Sequence, residues 1–347
     1  VKVVKKVISS VIVVVLLVII TSCSIPSSSD KQESVTSYST NILVYLPVDY
    51  IDLSVLHNFE ETFNVGVKIA EFDSNEDMYA SLIKSNKYDV VVSSDYMLDR
   101  LIQENRIVKL DQSKLSNTSY ISSQYLHPVY DEGNEYTVPY MVGTLGILYN
   151  KRTVKINSWN DLFNHNGILV VDSERDVIGL ILCMLGYSMN TINDGEISEA
   201  KIFLQRLKSN MRGYYESVFI QEMLAAEESY IGIVYSGDGK RAVDLNPNLN
   251  YIIPKEGTNK WVDGFVIPTT SQNIDIAHEF INFMCSPNIA IRNMSYTGYT
   301  SPVETIWNEF YNNRIMFPTE EELIRCESLI YSTEIVSKYS KLWKEVR

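Results

Sequence analysis

Three runs decide the fold: Asn41-Ile42-Leu43-Val44-Tyr45, Val65-Gly66-Val67-Lys68-Ile69-Ala70-Glu71-Phe72 and Asp89-Val90-Val91-Val92-Ser93. Each is short, largely apolar and rich in β-branched residues, as strands are. After the first, Asp52 can cap a helix with Leu53, Leu56, Phe59 and Phe63 on one face. After the second, Ser74 or Asn75 opens a helix carrying Met78 and Leu82, and a helix with Met97, Leu98, Leu101 and Ile102 follows the third. The resulting β-α-β-α-β unit marks an α/β sheet.

Further along, Gly143 to Asn150 reads as a strand and Ser158-Trp159-Asn160-Asp161-Leu162-Phe163 as a capped helical turn. A strand from Gly167 to Asp172, a helix from Val177 to Leu185, a helix capped by Ser198 and running to Leu207, and a strand from Ile231 to Tyr235 make a second sheet. The chain returns through Tyr251-Ile252-Ile253-Pro254 and through Trp261 to Pro268. It ends in helices around Ile276 to Phe283 and Glu320 to Trp343. Two sheets joined by more than one crossing imply two lobes with a hinged cleft. The expected extents are 41–145 plus about 266–310 for the first lobe and 146–265 plus about 311–347 for the second.

In open α/β sheets ligands sit beyond the carboxyl ends of strands. Those positions hold Asp49 and Tyr50; Ser94, Asp95 and Tyr96; Ser173, Glu174 and Asp176; Tyr235 and Ser236. Trp261 and Asp263 lie two apart on an extended run and so point the same way, and Tyr299 lies in a later loop. An aromatic face and a carboxylate aimed into one space suit an organic cation; the alternative is a core Trp beside a surface Asp.

The start of the chain indicates where such a site works. Lys2, Lys5 and Lys6 precede an apolar run from Val7 to Ile20, broken only by Ser9 and Ser10, which ends at Thr21-Ser22-Cys23. Residues 1–22 therefore read as an export signal, the run being shorter than the roughly 20 apolar residues of a spanning helix. Cys23 sits as in the lipobox of bacterial lipoproteins, which it resembles, and is expected to be the lipidated first mature residue; an uncleaved signal anchor is the alternative. Residues 23–40, mostly polar, form a tether. A net charge of −13 argues against nucleic acid, whose binders are basic, and is compatible with a cationic ligand. Cys183, Cys285 and Cys326 have no CxxC spacing; Cys183 and Cys285 read as buried small hydrophobes.

Along nearly its whole mature length the chain resembles the spermidine/putrescine-binding proteins that feed polyamines to ABC transporters. The likeness is carried in order by Tyr88-Asp89-Val90-Val91-Val92-Ser93-Ser94-Asp95-Tyr96, Ser113-Lys114-Leu115-Ser116-Asn117, Ser158-Trp159-Asn160-Asp161-Leu162, Leu185-Gly186-Tyr187-Ser188-Met189-Asn190-Thr191 and Trp261-Val262-Asp263. The resemblance implies a two-lobed, type II periplasmic-binding-protein fold that closes over its ligand. It implies an aromatic box of Tyr50, Tyr96, Tyr235, Trp261 and Tyr299, a central carboxylate at Asp263, a terminal one at Asp176 and a hydroxyl ligand at Ser94. Three positions depart from the family: Pro47 replaces an aromatic wall residue, Ser173 a second terminal carboxylate, and a late Gln has no counterpart near Ser328 or Leu329. The implied protein is an extracytoplasmic, lipid-anchored monomer that hands putrescine or spermidine to the membrane subunits of an ABC importer. No cofactor, metal or nucleic acid is expected.

Two other classes remain. The same fold could hold a thiamine-like cation, an aminophosphonate or ferric iron. An anion would call for Arg or Lys at helix N-termini, and iron for clustered Tyr, His and carboxylates. An exported hydrolase is the more distant class. The sequence has no HExxH, GxSxG or nucleotide-binding GxGxxG, and Gly237-Asp238-Gly239-Lys240 lacks P-loop spacing. His57, His127, His165 and His278 are scattered, with His57 and His278 in helical stretches where a surface or capping role is expected. Glu320-Glu321-Glu322 reads as the solvated first turn of a helix.

Overall fold

The computed structural model describes residues 38, 40–85 and 87–347. The expected export signal and Cys23 lie outside the described residues. Strand β1 (Asn41–Pro47) leads through helix α1 (Leu53–Phe63) to β2 (Gly66–Phe72), and α2 (Asn75–Leu82) leads on to β3 (Val90–Ser94) and α3 (Asp95–Gln103). β1 pairs in parallel with β2 on one edge and β3 on the other. Asp52 caps α1 by accepting from the Ser54 amide, and Ser74 caps α2 by accepting from that of Asp77. Leu53 is exposed, contrary to its expected place on the apolar face of α1; Val55 is buried there with Leu56 and Phe59.

The first sheet is covered on both faces, as parallel sheets require. Ile42, Val44 and Leu46 of β1 join Phe59 and Phe280 on one side. Tyr45 joins Phe72, Met78 and Leu101 on the other. This two-residue alternation along β1 sorts the side chains between the two layers.

Strand β4 (Val138–Asn150) continues five residues upstream of its expected start at Gly143. It is followed by β5 (Ile168–Val171), α4 (Glu174–Met184), α5 (Asp194–Lys208), β6 (Met211–Tyr215), α6 (Ser217–Ala225), β7 (Ile231–Tyr235), α7 (Ser236–Leu245), β8 (Leu249–Ile252) and β9 (Lys260–Val266). Helices α8 (Ile274–Met284), α9 (Pro287–Thr297), α10 (Glu320–Ile324) and α11 (Thr333–Val346) complete the chain. The strands run β2-β1-β3-β9-β4-β7-β5-β6, with β8 also on β4. β4 belongs to both lobes: residues 138–144 pair with β9 and residues 145–150 with β7 and β8.

Several boundaries differ from the sequence reading. β9 has both edges occupied, by β3 and by β4, so residues 260–266 lie in the first sheet and not with 146–265. Met316 and Phe317 pack into the first lobe's core, which moves that crossing downstream of 311. Helix α5 is capped by Asn193, whose side chain accepts from Gly195 and Glu196, and not by Ser198, whose hydroxyl donates back to the Asp194 carbonyl. The stretch from Glu320 to Trp343 is two helices. The Glu320-Glu321-Glu322 turn carries a Thr319/Glu322 capping box, and α11 packs against α4 and α5 in the second core. Cys183 is only half-buried, its thiol donating to the Glu256 carbonyl. His57 is exposed beside Glu61. His278 is buried: its Nε2 accepts from the Asp111 amide, tying a loop to α8.

Candidate ligand-binding cleft

The eight residues singled out from the sequence, Tyr50, Ser94, Tyr96, Asp176, Tyr235, Trp261, Asp263 and Tyr299, all line one cavity of about 220 Å³ between the lobes. That is smaller than the roughly 300–1,000 Å³ of clefts that take drug-sized ligands, and it suits a small solute. Strand ends account for the convergence: β1, β3, β5 and β7 each finish at the cavity, and β9 crosses its floor.

Asp263 sits at the centre and is buried, which removes the reading of a surface Asp beside a core Trp. The Tyr50 hydroxyl donates to Oδ2 at 2.7 Å, and the other oxygen, Oδ1, is buried with no hydrogen-bond partner among the described residues. Burial lifts its carboxyl from the ordinary 3.8 to about 6, against the pull of the Tyr50 and Ser94 hydroxyls, and Asp176 adds repulsion. Ser94 lies opposite Asp263 in the β3–β9 register, its hydroxyl accepting from the Asn75 amide at 3.0 Å.

The aromatic rings form a connected wall. Trp261 meets Tyr299 edge-on at 5.2 Å and Tyr235 at 6.3 Å, and Tyr299 meets Tyr50 at 5.4 Å. Two glycines make room for it. A Cβ on Gly143 of β4 would fall within the Trp261 indole, and Gly298, at φ 77°, ends α9 in the left-handed conformation that turns the chain into Tyr299. Burial beside carboxylates pushes the hydroxyls of Tyr50, Tyr96, Tyr235 and Tyr299 well above their ordinary pKa, so all four stay protonated donors.

At one end Asp176, in the first turn of α4, accepts from Tyr235 (2.8 Å), Asn259 (2.7 Å) and Ser173 (2.6 Å). Ser173 also caps α4, accepting from the Asp176 amide. At the other end Tyr299 donates to Asp238 at 3.0 Å, and Arg241 bridges Asp238 (2.7 Å) and Asp49 (3.7 Å) from opposite lobes. Pro47 and Leu329 also face the cavity; Ser328 is exposed and does not.

Sequence reasoning missed Asp238, Asn259, Glu76 and Glu216. The strand-end rule finds Glu76 once it is applied to β2, whose end leads into Asp73, Ser74, Asn75 and Glu76. Glu216 follows β6, a strand the sequence reading did not include. Burial and the facing Asp73, Asp172 and Asp77 raise Glu216 to about 7. In all, nine carboxylates line the cavity (Asp49, Asp73, Glu76, Asp95, Asp172, Asp176, Glu216, Asp238, Asp263), against one cation, Arg241, already held by two of them. Burial and the charges of Asp263 and Asp176 hold the Asp95 carboxyl well above its ordinary value.

Two α/β lobes that share a through-going strand and enclose a cleft at their strand ends define a solute-binding protein of the type II fold. The chain belongs to the bacterial extracellular solute-binding protein family, whose model matches residues 54–309. It is 30% identical over 303 residues to the spermidine/putrescine-binding periplasmic protein of Salmonella typhimurium, covering 84% of this chain and 87% of that one. Among solved structures, a Listeria monocytogenes chain described as a spermidine/putrescine ABC transporter superposes with a TM-score of 0.84 at 34% identity, covering 89% of this chain and 99% of that one. The Tp0655 (TpPotD) lipoprotein of Treponema pallidum superposes with a TM-score of 0.79 at 26% identity, covering 88% of this chain and 99% of that one.

Proposed function

We propose that this protein is an extracytoplasmic receptor for polyamines, putrescine or spermidine, which it delivers to the membrane subunits of an ABC importer. The observation that carries the reading is Asp263: a buried carboxylate with one oxygen unpaired, walled by aromatic rings, in a cavity with nine carboxylates and one committed cation. A buried carboxylate without a counter-charge is costly, so the site favours a ligand that brings positive charge. Methylenes lie against the rings, where a desolvated cation–π contact contributes about 2 kcal/mol, and each ammonium meets a carboxylate through a charge-assisted hydrogen bond of about 1.5–3 kcal/mol. A few such contacts, less ordering costs, support micromolar binding, roughly −8 kcal/mol.

The other solutes fit less well. An anion, including the phosphonate end of an aminophosphonate, would meet only Arg241, which Asp238 and Asp49 occupy. For iron, no group of three or more His, Cys, Asp or Glu placed to hold a metal ion occurs among the described residues. Lipidation at Cys23 would keep the receptor beside its importer, and the Treponema pallidum relative is itself described as a lipoprotein.

Calorimetric titration of the soluble body with putrescine, spermidine, thiamine and glutamate tests the reading. Amines should bind with micromolar affinity and glutamate not at all. Asp263→Asn should weaken amine binding by about 2–5 kcal/mol, the cost of truncating one partner of a buried charge pair. Unchanged affinity in that variant, or a preference for thiamine, would reject the proposal.

A further inference from the structure

We propose that Glu76, reaching in from the first lobe, takes the terminal ammonium of the ligand opposite Asp176, so that this end of the cleft is a carboxylate clamp built across the two lobes. The inference rests on the polyamine reading and assigns a specificity role to a residue outside the aromatic box.

Glu76 lies in the first turn of α2, just after the Ser74 cap that starts the helix where β2 ends at the cavity. Its side chain is exposed and lines the cavity. The Tyr96 hydroxyl donates to Oε1 at 3.0 Å. No cation and no other side chain bonds this carboxylate among the described residues. The Tyr96 ring itself lies 5.8 Å from the Arg175 guanidinium. Asp176 of the second lobe lines the same cavity. Desolvation, and then the charges of Glu174 and Asp176, raise the Glu76 pKa.

Asp176 is differently placed. Its two oxygens already accept from Tyr235, Asn259 and Ser173, which fix it and use the Ser173 proton. Ser173 is thus an orienting group and not a ligand in place of a carboxylate. Glu76 keeps an oxygen free, and an ammonium, with three N–H donors, can join it to Asp176 while Asp263 Oδ1 receives the next charge along the ligand. A ligand with one ammonium satisfies Asp263 and leaves the repulsion between Glu76 and Asp176 in place.

The test compares putrescine with 4-amino-1-butanol, which replaces one ammonium by a hydroxyl. Binding is measured by calorimetry and by ligand-observed NMR on the wild type, Glu76→Gln and Glu61→Gln. The amide keeps an acceptor for Tyr96 and removes a repulsive charge, so Glu76→Gln should fold with an unchanged or raised melting temperature. It should weaken putrescine at least tenfold and 4-amino-1-butanol less than threefold. Glu61→Gln, the same charge change at an exposed position of α1 outside the cavity lining, should alter putrescine less than threefold. Putrescine affinity within threefold of wild type in Glu76→Gln, equal losses for both ligands, or an equal loss in Glu61→Gln would overturn the assignment while leaving the polyamine reading intact. A wild type that binds no amine would remove both.

Discussion

Asp263 couples the ligand to pH. Folding raises its pKa from 3.8 to about 6, so its protonated form is favoured in the folded state. The associated stabilisation is fully present below pH 3.8 and is lost as pH rises through 6. Glu216 adds the same sign between 4.5 and about 7. The ligand-free protein should therefore show, from these two groups, a melting temperature that rises as pH is lowered from 8 to 5. The stabilisation by putrescine should run the other way and shrink over the same interval, because a protonated Asp263 no longer attracts an ammonium. Differential scanning fluorimetry across pH with and without putrescine measures both trends; a putrescine-induced shift that is flat from pH 8 to 5 would show that Asp263 does not receive charge.

At the scale of elements, the cleft depends on β4 and β9 approaching closely where Gly143 faces Trp261. Gly143→Ala should push the indole off the cavity wall and weaken amine binding at least tenfold while the far-ultraviolet circular dichroism stays native; unchanged affinity would mean that the Trp261 position is not critical. Much of this layer was legible in the sequence. The first three strands, the cap Asp52, a helix start at Ser74 or Asn75, and the Trp261–Asp263 spacing follow from capping chemistry and from period-two and period-3.6 patterns that local sterics enforce. Harder cases have identifiable causes. β6, Met211-Arg212-Gly213-Tyr214-Tyr215, contains a glycine and is only partly buried, so it lacks an apolar signature. Ser198 and Asn193 both suit a cap, and only the pairing of Asn193 with two free amides decides between them. Asp238 and Asn259 became site residues through tertiary contacts, with Tyr299 61 residues from one and Asp176 83 residues from the other. No local pattern encodes such distances.

For the whole molecule, the part of the cleft lining around Trp261, Asp263 and Tyr299 is buried, and contacts cross the cleft, among them Arg241 with Asp49 and Arg175 with Tyr96. This is the arrangement of a closed receptor. Nine carboxylates gathered from both lobes oppose that closure without a cation. Small-angle scattering should accordingly show a larger radius of gyration for the free protein at low ionic strength than for the putrescine complex, the difference narrowing with added salt as screening shortens the repulsion. An identical radius in both states would indicate a cleft that does not open.

β4 has a further consequence. Because one uninterrupted strand supplies hydrogen-bond partners to both sheets, and β9 and residues 316–317 return to the first lobe after the second has formed, neither half has a self-sufficient stretch of chain. Melting one sheet strips β4 of partners that the other needs. Heat should thus disrupt the two halves in a single calorimetric step, and neither half expressed alone should become a stable module. A receptor that looks divisible in outline is, in its cooperativity, one unit.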